Sequence, residues 1–367
     1  MLFGDRVKFV TLVVGITFAV LLITQQGSIF SGLMLRTCSE IFETNMPIWV
    51  ADPRVQSSSD NIPLRETLLQ EVKSVDGVEW AVPFLFNTVQ AQSDDGKTAI
   101  VSLVGVDNES LIGIPNQMKE GTLTALNDPE GVIVSSQRRE RYGSPGVGDY
   151  FELNNKRAKV VGILESGVGF TPFPKIYTTY SKALWFLPPR EKYLSFILVK
   201  PKHLSETKAV MQRIREKTGL EAYDQYDFAW KTMGYWAKNT GIPINFGTTV
   251  ILGVLVGAAI SAQTLYTFMI ENIRQFGTFK AIGISTPVLV GMVLLQSLTV
   301  GFIGYGIGLG LMAIFGSLIP ANGQLAFYTH PYLLLIALAV VMIFCVLASL
   351  LSIRRVITIE PGIVFRG

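Results

Sequence analysis

The sequence predicts an α-helical membrane protein with four transmembrane helices and a large α/β domain, porter-like with a β-rich insertion, between spans 1 and 2. Three observations carry that prediction: where charge is missing, where it is concentrated, and how apolar residues are spaced between the uncharged runs. The chain has 367 residues, of which 16% are charged and 49% hydrophobic. About a quarter of an ordinary soluble domain is charged. The deficit is local: all but ten of the charged residues lie between Arg36 and Lys238, a stretch charged to the ordinary level of a soluble domain.

Phe9 to Leu35 and Asn239 to Ile270 carry no Asp, Glu, Lys or Arg, and neither does the much longer run from Ala281 to Ile353. As one helix that last run would be about 110 Å long, against a hydrocarbon core of about 30 Å. It must fold back, and Pro320-Ala321-Asn322-Gly323-Gln324 is the turn. Four spans follow, at roughly 9–33, 245–270, 287–319 and 331–353. A signal peptide is the rival reading of the first, since Arg6 and Lys8 precede an apolar run. That run is longer than a usual signal core, and no A-x-A site follows it.

Charge orients the spans. The amino end, the 271–286 connection and the tail carry seven basic and three acidic residues, whereas 36–238 carries 24 basic and 25 acidic. By the positive-inside rule both termini and the 271–286 connection face the cytoplasm. The expected organisation is a cytoplasmic start and first helix over 1–35, a periplasmic α/β domain and stalk over 36–243, and a second helix over 244–270. A cytoplasmic segment over 271–286, a helix over 287–319, a periplasmic loop over 320–330, a helix over 331–353 and a cytoplasmic tail over 354–367 complete it. Cys38 and Cys345 fall at different depths and are expected not to bridge.

Within the domain, Ile48 to Ala51 reads as a strand, Leu64 to Val75 as a helix and Glu79 to Gln92 as a strand. Asp94-Asp95-Gly96 is a turn into a strand at Thr98 to Val106, and Gly131 to Tyr180 is strand-rich. Tyr193 to Lys200 reads as a strand and His203 to Thr218 as an amphipathic helix. Strand–helix–strand patterns at both ends predict one α/β unit with the β-rich stretch inserted. Tyr226 to Asn239 reads as a helical stalk, with Trp230, Tyr235 and Trp236 suited to a membrane interface; an aromatic ligand box is the rival.

Catalytic signals are weak. Gly96-Lys97-Thr98 resembles the end of a phosphate loop, but Ala91 stands where its first glycine is required. A hairpin turn explains it. His203 and His330 lack metal-ligand spacing, and no nucleophile elbow occurs. The spans hold no Asp, Glu, Lys, Arg or His, against an ion-driven carrier. Glycine instead recurs at small-xxx-small spacing, as Gly253/Gly257 in the second span and as Gly304/Gly308 and Gly306/Gly310, beside Gly301, in the third. Such spacing lets helices approach closely, within one subunit or between two.

The most specific stretch is Glu271 to Ser285. Ile273, Phe276, Phe279 and Ile282 recur among charged residues, as in a short amphipathic helix. Arg274, Phe276, Gly277, Lys280, Ala281 and Gly283 match the coupling-helix pattern of the FtsX/MacB-type ABC transporter permeases, which the chain resembles. Trp49-Val50-x-Asp52-Pro53, Gly77-Val78-x-Trp80-Ala81-x-Pro83 and Gly105-Val106-Asp107 extend the likeness. So do Pro174-x-x-Tyr177-Thr178-Thr179-Tyr180 and Glu360-Pro361-x-x-Val364-Phe365-Arg366-Gly367. Together these resemble the DevC-like branch. Unlike MacB itself, the chain is expected to work without a fused ATPase domain and with little of the amino-terminal cytoplasmic helix of many relatives.

The resemblance implies a type VII ABC assembly in a bacterial inner membrane: a homodimer of this permease with a separate cytoplasmic ATPase that binds ATP and Mg. The chain itself is then no enzyme and needs no cofactor. It also implies mechanotransmission, in which ATPase closure moves the Glu271–Gly283 coupling helix and the outer domains respond. Phe276 and Phe279 are expected to insert into the ATPase as apolar anchors, with Arg274 and Lys280 at the rim. DevC-like members pair with a periplasmic membrane-fusion adaptor and a TolC-like outer-membrane channel. Nucleic acid is not an expected partner. An FtsX-like regulator of a periplasmic enzyme, a haem or lipoprotein exporter and a stand-alone membrane sensor are the rivals.

Overall fold

A computed structural model describes residues 5–115, 117–188, 193–320 and 325–357. The chain divides into two compact units, Met34–Thr240 and Met1–Leu33 with Gly241–Gly367.

Among its described residues, the second of these holds four helices long and apolar enough to cross a membrane: α1 (Arg6–Thr37), whose last residues count with the other unit, and three that follow the α/β domain. The short helix α2 (Ser39–Thr44) comes directly after α1. The domain then runs β1 (Ile48–Ala51), α3 (Glu66–Lys73), β2 (Val78–Gln92), β3 (Thr98–Val106), β4 (Met118–Gly121), β5 (Gly131–Ser135), β6 (Tyr150–Leu153), β7 (Lys156–Leu164), β8 (Lys175–Thr179) and α4 (Tyr180–Phe186). It closes with β9 (Phe196–Pro201), α5 (Thr207–Thr218), β10 (Glu221–Asp224) and α6 (Gln225–Asn239).

Among the described residues one ten-stranded sheet holds every strand; its main path runs β10-β1-β9-β2-β3-β8-β5-β7-β4, with β6 pairing β2 and β7. Its first part is the α/β portion. β1 lies between β10 and β9, antiparallel to both, and is buried on both faces. Strand alternation sends Ile48 and Val50 to one face, where they share a core with Val72 of α3 and with Val210 and Ile214 of α5. Trp49 and Ala51 point the other way, toward Phe228 and Ala229 of α6 and Ile41 of α2. Trp49 is wholly buried, its ring 5.4 to 5.6 Å from those of Phe84, Phe196 and Phe228.

The second part closes on itself. β2 pairs with β3, β3 with β8, β8 with β5, β5 with β7, β7 with β6, and β6 returns to β2 at Ala91 and Gln92. The insertion is therefore a six-stranded barrel that shares its long strand β2 with the α/β portion. Closure removes the exposed edges that a short inserted sheet would present. Val89, Val101, Leu103, Val134, Phe151 and Val160 belong to its core. The Gly96-Lys97-Thr98 stretch is the β2–β3 hairpin, closed by Gly96 N to Ser93 O at 2.9 Å and Ser93 N to Lys97 O at 3.0 Å, with Gly96 at φ +82°.

The remaining spans are α7 (Ile242–Glu271), α9 (Thr286–Ser317) and α10 (Pro331–Ile357), with a nine-residue helix, α8 (Ile273–Ala281), between α7 and α9. α6 does not run on into α7: the helices break at Thr240-Gly241. Most of the expected turn at 320–324, and the Glu360–Gly367 motif, lie outside the described residues. Cys38 and Cys345 are both free and buried.

Candidate functional site: the α8 segment and its bundle

α8 begins where α7 ends. Asn272 joins them, its side-chain amide donating to Phe268 O (2.8 Å) while its carbonyl accepts from Gln275 N (3.0 Å) and Phe276 N (3.2 Å). At the other end Gly283 adopts φ +96°, Gly283 N donates to Lys280 O (3.1 Å) and Ile284 N to Phe279 O (3.0 Å). That 5→2 and 6→1 pair is the Schellman termination, in which glycine meets the left-handed conformation without a Cβ penalty. Gly283 thus has a geometric reason: it ends α8 and releases the chain into α9.

The two faces of α8 differ sharply. Phe276 is 1% exposed and Gly277 is buried. Phe276 belongs to the apolar cluster of Leu265, Phe268 and Met269 from α7, Leu289 and Val293 from α9 and Phe344 from α10, with Ile273 and Phe279 packed against it. Arg274, Gln275, Thr278, Ala281 and Ile282 are on the outside, Ile282 exposed to 73%.

Phe276, expected as an anchor in an ATPase, packs in this chain's own bundle, where its ring fastens α8. The reason lies in helix phase. On a helix of about 3.6 residues per turn, a spacing of three falls short of a full turn by roughly a sixth. The row Ile273, Phe276, Phe279, Ile282 therefore drifts backwards at each step and ends half-way round the helix. Its early members face the bundle and Ile282 faces away. The outward row has the spacing 274, 278, 281/282. Gln275 and Thr278, also outward, were not among the expected site residues, although their helical phase with Arg274 was the available signal. Lys280 and Phe279 are half-buried at the boundary.

Glu271 has a different role from the rest. It is the last residue of α7 and forms an ion pair with Lys8 near the start of α1, while Lys8 also meets Asp5 at 2.6 Å. The amino end of α1 and the approach to α8 are thus at one end of the bundle, and Arg6, Lys8, Arg274 and Lys280 gather there.

The glycines sort by what a methyl group would meet. A Cβ at Gly253 would stand 2.8 Å from Leu22 Cδ1, and one at Gly257 2.5 Å from Ala19 Cβ. At Gly304 it would meet Ile16 Cγ2 at 2.7 Å, at Gly308 Val20 at 2.7 Å, and at Gly301 Cys345 Sγ at 3.1 Å. Both motifs seat α1 closely against α7 and α9 inside one chain. A Cβ at Gly306 or Gly310 would meet nothing of the described residues within 4 Å.

The MacB-like periplasmic core domain model matches residues 9–217, and the FtsX-like permease C-terminal model matches 247–361. The chain belongs to the FtsX/MacB-type ABC transporter permeases. This membrane permease is 24% identical over 311 residues to an uncharacterized ABC transporter permease of Mycobacterium tuberculosis strain H37Rv, covering 84% of this chain and 80% of the relative. It is also 24% identical over 155 residues to the putative hemin transport system permease protein HrtB of Staphylococcus epidermidis, covering 42% of this chain and 43% of that one. Among solved structures, the periplasmic region of MacB from Actinobacillus actinomycetemcomitans aligns at TM-score 0.38 and 12% identity, over 56% of this chain and 96% of that one. As an ABC permease of this type, the chain implies an ATPase partner.

Proposed function

We propose that this permease is the membrane subunit of an export assembly in a bacterial inner membrane. It converts ATP hydrolysis by a separate subunit into movement of its α/β domain. In this reading both termini and α8 are cytoplasmic, the α/β domain is periplasmic and two copies of the chain form the working unit. A membrane-fusion adaptor and a TolC-like outer channel complete a DevC-like tripartite system.

The observation that carries the proposal is the two-sided construction of α8. An ATPase can push only on what it touches, and only a helix that is itself anchored passes the push on. Arg274, Gln275 and Thr278 supply a polar outward face with Ile282 as its apolar end, and Phe276 supplies the anchor in the four-span cluster. Glu271–Lys8 adds a second tie, to α1. The polar, charge-poor face with one apolar end fits a protein partner better than lipid: a helix lying in the membrane surface would hold its apolar side toward the acyl chains and its charges to water.

The test uses the permease reconstituted with its ATPase in nanodiscs. Thr278→Trp with Ile282→Asp should abolish the permease's effect on ATP turnover while leaving the permease folded. Unchanged turnover and unchanged ATPase binding would defeat the proposal. Copurification with an adaptor would favour export; copurification with a cell-wall hydrolase in its place would favour the regulatory rival.

A further inference from the structure

Within the α/β domain, three charged side chains that ATPase coupling does not use are held largely out of water. Glu40 and Glu43 lie on α2, and Lys175 begins β8. Lys175 is 5% exposed, with its Nζ 2.9 Å from Glu43 Oε2 and 3.5 Å from Glu40 Oε1. The Glu43 and Glu40 side chains are 18% and 13% exposed. One ammonium thus faces two carboxylates, and with all three ionised one negative charge is left over. Burying an uncompensated charge is costly, and a carboxylate escapes that cost by taking up a proton.

Geometry points to Glu43 as the carboxylate that does so. Glu43 Oε1 is buried and meets no hydrogen-bond partner among the described residues. The loop between β7 and β8 closes over both carboxylates, and its glycines admit them: a Cβ at Gly167 would stand 2.5 Å from Glu43 Oε1, and one at Gly169 3.2 Å from Glu40 Oε1. The groups that face Glu43 are Lys175 and Tyr177 on β8, Glu40 on its own helix and the Gly167 peptide in the loop. Burial outweighs the pull of Lys175 and holds the Glu43 carboxyl above its usual range, and the Gly167 peptide is the weakest influence on it. α2 has only six residues, of which Ile41 and Thr44 are buried, so its hold on the domain depends strongly on what its carboxylates meet.

We propose that Glu43 is a proton-binding switch: with its proton on, α2 is latched to β8 through Lys175 and Glu40, and loss of the proton leaves an unbalanced buried carboxylate that loosens α2. The sign follows from the raised carboxyl. Such a group gives stability that is present below its unfolded value and is lost as pH rises through its folded one. The switch itself rests on contacts inside the α/β domain. That it reads the outer compartment rests on the periplasmic placement proposed above, and the two fail separately, because topology labelling tests the placement and hydrogen exchange tests the switch.

Hydrogen exchange of the α2 amides would be followed by mass spectrometry on the full chain in nanodiscs. The series would run from about pH 5 to about pH 8, above the ordinary carboxylate value of about 4, with the intrinsic pH dependence of exchange divided out. Wild-type α2 should lose protection as pH rises, at most tenfold per pH unit, the limit for one proton. Glu43→Gln fixes the neutral form in nearly the same shape and should keep the acid-form protection throughout. Glu40→Gln removes the second carboxylate and should move the loss to lower pH, while the β3 amides stay level in all three proteins. A wild-type profile that is flat, or that Glu43→Gln reproduces, would overturn the proposal. So would a Glu43→Gln chain that is unfolded or less protected than wild type at acid pH, or a Glu40→Gln profile that does not move.

Discussion

The α/β domain and the four-span unit are built from similarly apolar cores, yet they specify their packing in different ways. In the domain, the side chains alternate. β1 sends Ile48 and Val50 to one core and Trp49 and Ala51 to the other, so hydrophobicity itself says which face is covered. In the spans, hydrophobicity says almost nothing about faces. α9 is apolar all round, with Leu295, Phe302 and Ile314 exposed on the outside and Val293 and Val300 buried within. Lipid tails are as apolar as leucine, so close backbone approach decides the packing there. The lesson is that burial of a large ring should dominate in the domain, and a single added carbon should matter in the bundle.

The largest effect is expected at Trp49. Trp49→Ala empties a pocket lined by Phe84, Phe196 and Phe228 and should cost about 4 kcal/mol, read as a lowered midpoint of thermal unfolding. Trp49→Phe should cost much less, since the buried indole N–H has no acceptor to lose. Equal losses would mean that ring volume does not set the domain's stability.

Next comes Lys175, the first residue of β8 and 5% exposed, 2.9 Å from Glu43 and 3.5 Å from Glu40 on α2. Burial alone would pull its ammonium down, but Glu40, Tyr177 and Glu43 together hold it well above the usual lysine value. Burial pushes Glu43 up, against the pull of Lys175. Lys175→Met leaves two carboxylates facing an apolar end and should cost about 3 kcal/mol. Glu43→Gln leaves Lys175 its Glu40 partner and removes a carboxylate that burial already disfavours, so it should cost less. The sign with pH follows. A raised lysine pKa gives stability that is present below the unfolded value and lost as pH rises through the folded one. A raised carboxylate pKa likewise gives stability at acid pH that is lost as pH rises through the folded value. Wild type should therefore lose stability toward high alkaline pH more steeply than Lys175→Met does, in urea titrations followed across pH.

In the bundle, Gly257→Leu drives a side chain into Ala19 and should cost about 2 kcal/mol, whereas Gly306→Leu, where an added Cβ meets nothing within 4 Å, should change the stability of the single chain by about 0.5 kcal/mol at most. Stability in detergent, measured by a thiol-independent melting assay, reads both. A large loss at Gly306 as well would assign that face to a subunit contact.

The smallest effect is chemical. Cys38 is wholly buried, and burial pushes its thiol up to about 11. A maleimide at neutral pH should leave Cys38 unlabelled in the folded protein and label it at the ordinary rate in urea. Rapid labelling of the folded chain would put Cys38 on a surface.

Much of this was legible beforehand. The uncharged runs gave four spans because lipid tolerates so little charge, and β1, α3, β2, β3 and α5 were readable because alternation and helical spacing report a half-covered surface. β10 was not, since Glu221 to Asp224 is polar and short and gains its strand from pairing with β1. Closure of the barrel through β6 at Ala91 and Gln92 is a long-range pairing that no local pattern records. On α8 the motif residues were legible and their directions were not. A period of three looked like one apolar face, but on a helix of about 3.6 residues per turn it twists from the bundle to the solvent.

That twist makes α8 the place to test the account most directly. Steady-state ATP turnover of the complete assembly in nanodiscs would be compared for Ile282→Asp, on the outward face, and Phe276→Leu, in the apolar cluster. The account predicts that Ile282→Asp releases the ATPase from the permease with an unchanged melting temperature, while Phe276→Leu lowers the melting temperature and retains ATPase binding. The opposite pattern, with Phe276→Leu releasing the ATPase and Ile282→Asp without effect, would contradict it.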